Sequence, residues 1–390
     1  MKITPANKKK VFFVFCLLQV TYWGCYASFL GYFSAFMLAN GMSNTVLSLI
    51  LSIYLMAAFA GSFFWGSLSD RLRTNKKTML IQVAVCLAAG QLIYQFAHVT
   101  WLVAVLYPIL GFATVPVGSN LDSWILKSFP EEPNYYGISR GVAAFGYAVI
   151  VLIMGQLVAN VGYHVMPIGL AISAGATILI TALLPDSPQI ETSGNFRFSI
   201  KDVGGLFKNK TYVTILVLLF TIGLAIVPIS NMKIVLYQSV GGDVKWVGYD
   251  AFAGCMVQVP IFLMAGKMRE FKPTVRLFAA VCGCLSLLFI YAFAKIPYLI
   301  IVGSMMYFLG YSLLLPTYRE LIGKSVNPNL MTTAQSLADA VIMSLAGMTG
   351  LLYSGYVIDN LGLKTLMFIG MGIFIIPVFI VIRALLRNKI

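Results

Sequence analysis

The chain has 390 residues, of which 59% are hydrophobic and only 10% charged, and its formal net charge is +14. With a mean hydropathy of +0.88, this balance excludes a soluble globular domain and implies an integral membrane protein. The basic excess lies in short separated clusters rather than one patch, which argues against a nucleic-acid-binding surface.

A helix needs roughly 20 apolar residues to cross the hydrocarbon core. Twelve candidate spans succeed one another, near 11–38, 44–67, 78–99, 101–127, 137–160, 166–184, 211–239, 247–268, 275–295, 298–322, 332–357 and 365–386. Lys8 to Lys10 ahead of the first resembles the start of a signal peptide. That apolar run is too long, lacks a small-residue cleavage site and leads into a second span, so it is expected to be a retained helix. The polar interval from Pro185 to Lys210 separates six spans from six. The expected fold is an all-α membrane protein with twelve transmembrane helices in two pseudo-symmetric six-helix bundles, 1–184 and 211–390, joined by a linker at 185–210. Lys and Arg cluster at Lys8 to Lys10, Arg71 to Lys77, Arg197 to Lys210, Lys267 to Arg276 and Arg383 to Lys389, while the alternate connections hold Lys245, Lys295 and Lys364 and little else. Positive charge marks the cytoplasmic side, so both termini are expected there, in a plasma membrane of bacterial type.

Gly155-Gln-Leu-Val-Ala-Asn160-Val-Gly162 returns two hundred residues later as Gly355-Tyr-Val-Ile-Asp-Asn360-Leu-Gly362, and Gly66 returns as Gly266. Duplicated apolar halves are the signature of a transporter whose two bundles rock about a central site. The six cysteines fall within spans, with neither disulfide nor zinc spacing, and His98 and His164 fall on loops, so no cofactor or metal is expected. No Walker motif is present, which argues against an ATP-driven pump. An intramembrane enzyme would need a nucleophile with its base or a metal constellation, and the spans hold no histidine.

Gly66-Ser-Leu-Ser-Asp70-Arg71-Leu-Arg73-Thr-Asn-Lys76-Lys77 joins spans two and three. Gly66 permits close helix approach, and Asp70 can cap a helix or latch onto a basic neighbour such as Arg71. The alternative is a basic topological turn. This loop resembles the signature of the major facilitator superfamily, with Arg73 where that family has Gly.

Asn120-Leu-Asp122-Ser-Trp124 closes span four, and Gly137-Ile-Ser-Arg140-Gly-Val-Ala-Ala-Phe-Gly146-Tyr147 opens span five. Asp122 and Arg140 reach similar depth on adjacent helices of opposite direction. An ionisable side chain inside a membrane costs about 3 kcal/mol or more, so it pairs or lines a wet cavity. At these residues the chain resembles the lactose permease branch of the superfamily, the oligosaccharide:proton symporters and their phenylpropionate-transporter-like relatives. The resemblance implies that Asp122 and Arg140 bind substrate hydroxyls and that Tyr147 stacks on the ring, with Asp for Glu and Tyr for Trp relative to the permease. Gly24-Cys-Tyr26 in span one also matches, and Asn120 and Trp124 complete the candidate substrate set. The rival reading is an ion pair that merely joins two helices.

The second half departs further from that branch, with Gln258 before Val259-Pro260 where a glutamate is common. Lys233, Asp250, Arg319, Glu320 and Asp339 remain as ionisable groups in or near its spans. Aligning Lys127-Ser128 with Lys324-Ser325 sets Asp122 opposite Arg319, and aligning Gly162 with Gly362 leaves Arg140 one residue from the counterpart of Asp339, which suggests the same pair with its signs exchanged. Arg319-Glu320 as an interfacial anchor, Lys233 snorkelling and Asp250 as a helix-start cap are the structural alternatives. Asp339 leads Asp122 and Glu320 as the expected proton carrier.

The combined expectation is a monomeric secondary transporter in the lipid bilayer, importing a small hydroxylated solute such as a sugar, oligosaccharide or glycoside with a proton by alternating access. A proton-coupled exporter of amphipathic compounds is the first rival, although Phe145 to Gly162 lacks the proline that such antiporters carry in span five. A uniporter of a nucleoside or aromatic acid is the second.

Overall fold

A computed structural model describes residues 7–186, 204–263, 270–327 and 330–387, and among them every regular element is helical. Among the described residues, eleven segments are long and apolar enough to cross a membrane: Lys8–Ala39, Asn44–Ser69, Asn75–Gln95, Thr100–Ser128, Asn134–Val161, Val165–Leu183, Lys210–Asn231, Pro273–Phe293, Pro297–Ser325, Thr333–Leu361 and Leu363–Leu386. They correspond to all the expected spans but the eighth. That span is the helix Lys245–Leu263, which runs up to residues 264–269, outside the described part together with Gly266. The protein is thus an all-α membrane protein.

Local sequence explains where these helices begin and end. Thr74 and Asn209 cap the third and seventh spans by accepting from the backbone N–H of Lys77 and Tyr212. Proline opens the fifth, ninth and tenth spans, where its missing N–H costs nothing. Among the described residues, the glycines with positive φ are Gly41, Gly162, Gly241 and Gly362. They form two pairs, each two hundred residues apart, at turns where a side chain would strain the backbone.

The duplication extends to breaks and packing. The first span is a helix Lys8–Ser28, a 3-10 turn Leu30–Tyr32 and a short helix Phe33–Ala39; the seventh is likewise split into Lys210–Asn231 and Lys233–Ser239. In the first half, span one packs on spans five and six, and span three on spans four and six. In the second half, span seven packs on spans eleven and twelve, and span nine on spans ten and twelve, the equivalent pairings. Among the described residues, the eleventh span alone carries a π-helical stretch, Val341–Leu345.

Contacts divide the chain into two compact units. One comprises Met1–Met42, Ile53–Ser193 and Asp243–Phe252; the other comprises Ser43–Ser52, Gly194–Gly242 and Ala253–Ile390. The division departs from the expected boundary at two helix starts. Within the first unit, a Cβ on Gly155 would meet the Tyr32 hydroxyl at 2.8 Å, and within the second a Cβ on Gly355 would overlap the Asn44 carbonyl oxygen. Both repeated glycines therefore make room for a neighbouring element, a tyrosine hydroxyl at Gly155 and a helix backbone at Gly355. Asp359 adds carboxylate contacts to the Asn44 amide and to the Thr45 N–H and hydroxyl, at 2.8, 2.8 and 2.7 Å, capping the second span.

Candidate functional site

In the first unit, Asp122 and Arg140 meet. Asp122 Oδ2 lies 3.6 Å from Arg140 Nε, and the Asp122 side chain is 16% exposed against 43% for Arg140. The side chains of Gln19, Trp23 and Tyr26 recur three and four residues apart on one face of the first span. Gln19 Nε2 donates to Asp122 Oδ1 at 3.2 Å, and Trp23 Nε1 donates to Gln19 Oε1 at 3.2 Å. The Arg140 guanidinium sits 5.9 Å from the centre of the Trp23 ring, within cation–π range. Tyr26 and Tyr147 flank the same indole with ring centres 5.2 and 6.2 Å away. A carboxylate, a guanidinium and three aromatic rings thus converge. Gly24 lets the first-span helix pack against span six, where a Cβ would strike Ser173 Oγ at 2.9 Å.

Two expected substrate residues lie elsewhere. Asn120 is 7% exposed and spends its amide on Gln82 Oε1 at 3.1 Å, while its carbonyl accepts from Asn75 at 2.9 Å. It ties span four to span three. Trp124 is fully buried, edge-on to Phe15, with its indole N–H lacking a hydrogen-bond partner. Its large ring fills the core, as apolar area drives it to do.

The second unit holds the exchanged pair. Arg319 donates to Asp339 Oδ2 at 2.8 Å, and the buried Tyr318 hydroxyl donates to Asp339 Oδ1. Asp122 and Arg319 each stand six residues before the end of a 29-residue helix. The one-residue mismatch between Arg140 and Asp339 has its cause in the π-helical Val341–Leu345, which inserts a residue between Asp339 and the Gly362 cap. Glu320 takes no part: it lies 2.5 Å from Arg276 and 2.6 Å from Lys324, clamping span nine to span ten. Lys233 donates to Ser304 Oγ at 3.2 Å, and Ser304 shares a 2.5 Å hydrogen bond with Tyr291. Gln258 is half-buried on the eighth span. Asp250 is 3% exposed and stands in the second turn of that helix, so it is not the expected cap.

Around the 66–77 loop, Arg71 is exposed and Arg73 adopts a positive φ of 51°. The Asp70 side chain lies outside the described residues. Among the described residues, no atom lies within 4 Å of a Cβ built on Gly66, so none of the described helices approaches it tightly. The anchor is Asp186, which accepts from the Thr74 hydroxyl at 2.5 Å and from the Lys76 N–H at 3.3 Å, while Lys76 Nζ caps the sixth span through the carbonyls of Ala182 and Leu184. Sequence reasoning missed Asp186, Gln19, Tyr318 and Arg276. The helical spacing of Gln19 with Trp23 was the available signal for one of them.

A duplicated twelve-span helical fold with charged pairs held inside its spans defines a membrane transporter rather than an enzyme. The chain belongs to the Major Facilitator Superfamily, whose profile matches residues 12–351. It is 24% identical over 291 residues, 72% of this chain and 74% of the relative, to the probable 3-phenylpropionic acid transporter of Escherichia coli (strain K12), which supports the phenylpropionate-like branch. The nucleoside transporter NupG shares the fold at a TM-score of 0.81 and 16% identity, covering 97% of this chain and 98% of that one. A D-xylose-proton symporter does so at 0.73 and 12%, covering 96% of each.

Proposed function

We propose that this transporter imports a small ring-bearing organic acid together with a proton, and that Asp122 and Arg140 serve both. The observation that carries the reading is the open geometry of the pair. At 3.6 Å the contact is too long for a hydrogen bond, so the guanidinium donors are unspent on Asp122. A proton on Asp122 removes the charge that competes for Arg140. The guanidinium then receives the substrate carboxylate in a charge-assisted bond, while Trp23 and Tyr147 flank the ring. By contrast Asp339 is held by Arg319 at 2.8 Å and by Tyr318. Protonating it would give up the ion pair with Arg319, so Asp122 displaces Asp339 as the proposed proton carrier. The relative named for 3-phenylpropionic acid favours the same substrate class.

A hydroxylated solute such as a sugar is the second reading, favoured by a carboxylate and a guanidinium that together accept from and donate to neighbouring hydroxyls. Import, proton symport, a monomeric state and cytoplasmic termini belong to the proposal and not to the family assignment. Purified protein titrated with 3-phenylpropionate, a glycoside and a nucleoside decides the class. A ligand at about 100 times its Kd adds about 2.7 kcal/mol of apparent stability, and 3-phenylpropionate is expected to give this shift in wild type and none in Arg140→Gln. A shift from the glycoside alone would replace the acid by the hydroxylated class, and an unchanged shift in Arg140→Gln would move the site elsewhere.

A further inference from the structure

At one end of the second unit, the starts of spans seven and nine and the ends of spans ten and twelve enclose a groove of about 510 Å³. Its rim carries Lys210, the first residue of the seventh-span helix, and Arg383, in the last two turns of the chain's final helix. Neither cation is paired with a carboxylate of a described residue. Below the rim the lining turns apolar. Val213 and Val217 succeed Lys210 at helical spacing on one face, and Phe379 stands one turn from Arg383. Val217 is 41% and Phe379 62% exposed, so this wall is uncovered. From Lys210 to Val217 the face descends about 10 Å along the helix axis.

We propose that this groove binds an anionic phospholipid, its phosphate between Lys210 and Arg383 and the first part of an acyl chain along Val213, Val217 and Phe379. The charge pattern selects the headgroup, because two cations with no described carboxylate partner, at a membrane-interface helix end, attract anionic lipid more strongly than a zwitterionic one. The descending wall selects a lipid over a soluble anion, since free phosphate would leave the apolar face bare. The groove also reaches the transport machinery. Its back is formed by Tyr318, the residue whose hydroxyl donates to Asp339 in the Arg319–Asp339 pair. A lipid seated there leans on the side chain that holds this pair, so lipid composition tunes it without touching substrate.

The test uses the full-length protein in detergent, with phosphatidylglycerol and phosphatidylcholine of identical chains added separately. Retention is read by native mass spectrometry and stability by thermal unfolding. Wild type is expected to retain phosphatidylglycerol and gain stability from it. Lys210→Gln/Arg383→Gln should weaken retention roughly 30-fold, at about one kcal/mol per charge, while Lys295→Gln/Lys364→Gln should leave it unchanged. Should the first double variant fail to elute as a monodisperse species, Val217→Trp decides, because it fills the groove with both cations in place and is expected to abolish retention. Equal retention of the two lipids by wild type, undiminished retention in a folded groove variant, or a stability gain reproduced by inorganic phosphate alone would each overturn the proposal.

Discussion

Charged side chains in this molecule do two different jobs, and geometry separates them. Glu320 lies 2.5 Å from Arg276, whose side chain is only 6% exposed, and 2.6 Å from Lys324. Removing the acid strands a desolvated guanidinium. Glu320→Gln is therefore expected to cost about 3 kcal/mol of stability, read as a lowered unfolding temperature of the purified protein. Glu131→Gln, at an 87% exposed end of the Lys8 contact, should change nothing measurable. A Glu320→Gln protein as stable as wild type would show that the clamp carries no energy. The contrast also marks what the sequence concealed. Asp122 and Arg140 were legible as partners because they lie at matched depth on consecutive helices. Glu320 looked like a transport acid because its partner sits 44 residues away on another helix, and rotation about a helix axis is invisible when apolar residues surround it. Gln19 was missed for a related reason: an amide costs far less to desolvate than an ion, so its place in a span raises less alarm.

At the scale of elements, the π-helical Val341–Leu345 is the feature that sets Asp339 against Arg319. A single extra residue turns the helix before it by about 100° relative to the helix after it. Deleting Met343, which is 43% exposed, should restore regular helix and swing Asp339 away from Arg319. Transport is expected to fall by at least tenfold while the protein remains folded; full transport by the deletion variant would show that the pair is dispensable. Gly355 is the second element-scale test. A Cβ there would collide with the Asn44 carbonyl oxygen and with Ser48 Oγ, so Gly355→Ala must displace the second span's first turn. It should lower the unfolding temperature, whereas Gly66→Ala, with open space around it, should not. Span positions other than the eighth were readable because length and hydropathy determine them. The bulge was not readable, since a helix apolar on most faces has no periodicity to distinguish 3.6 residues per turn from a locally wider winding.

For the whole molecule, duplication organises both halves. The pairs Gly41 with Gly241 and Gly162 with Gly362 share turn geometry, and equivalent spans pack on equivalent partners. This level was legible in part, through the repeated glycine and asparagine pattern of spans five and eleven. The assignment of the second and eighth span starts to the opposite units was not, because it depends on which backbones approach those glycines. The family is evident from the whole chain; the substrate and its coupling rest on the open Asp122–Arg140 pair in one half. That claim is tested most directly in reconstituted vesicles acidified outside, with initial uptake of 3-phenylpropionate corrected for the weak acid that crosses protein-free vesicles. Wild type should accumulate it uphill. Asp122→Asn, with no carboxylate to carry the proton, should exchange substrate across the membrane without accumulating it. Gradient-driven accumulation by Asp122→Asn equal to wild type, or wild-type uptake indifferent to the gradient, would contradict the proposed coupling.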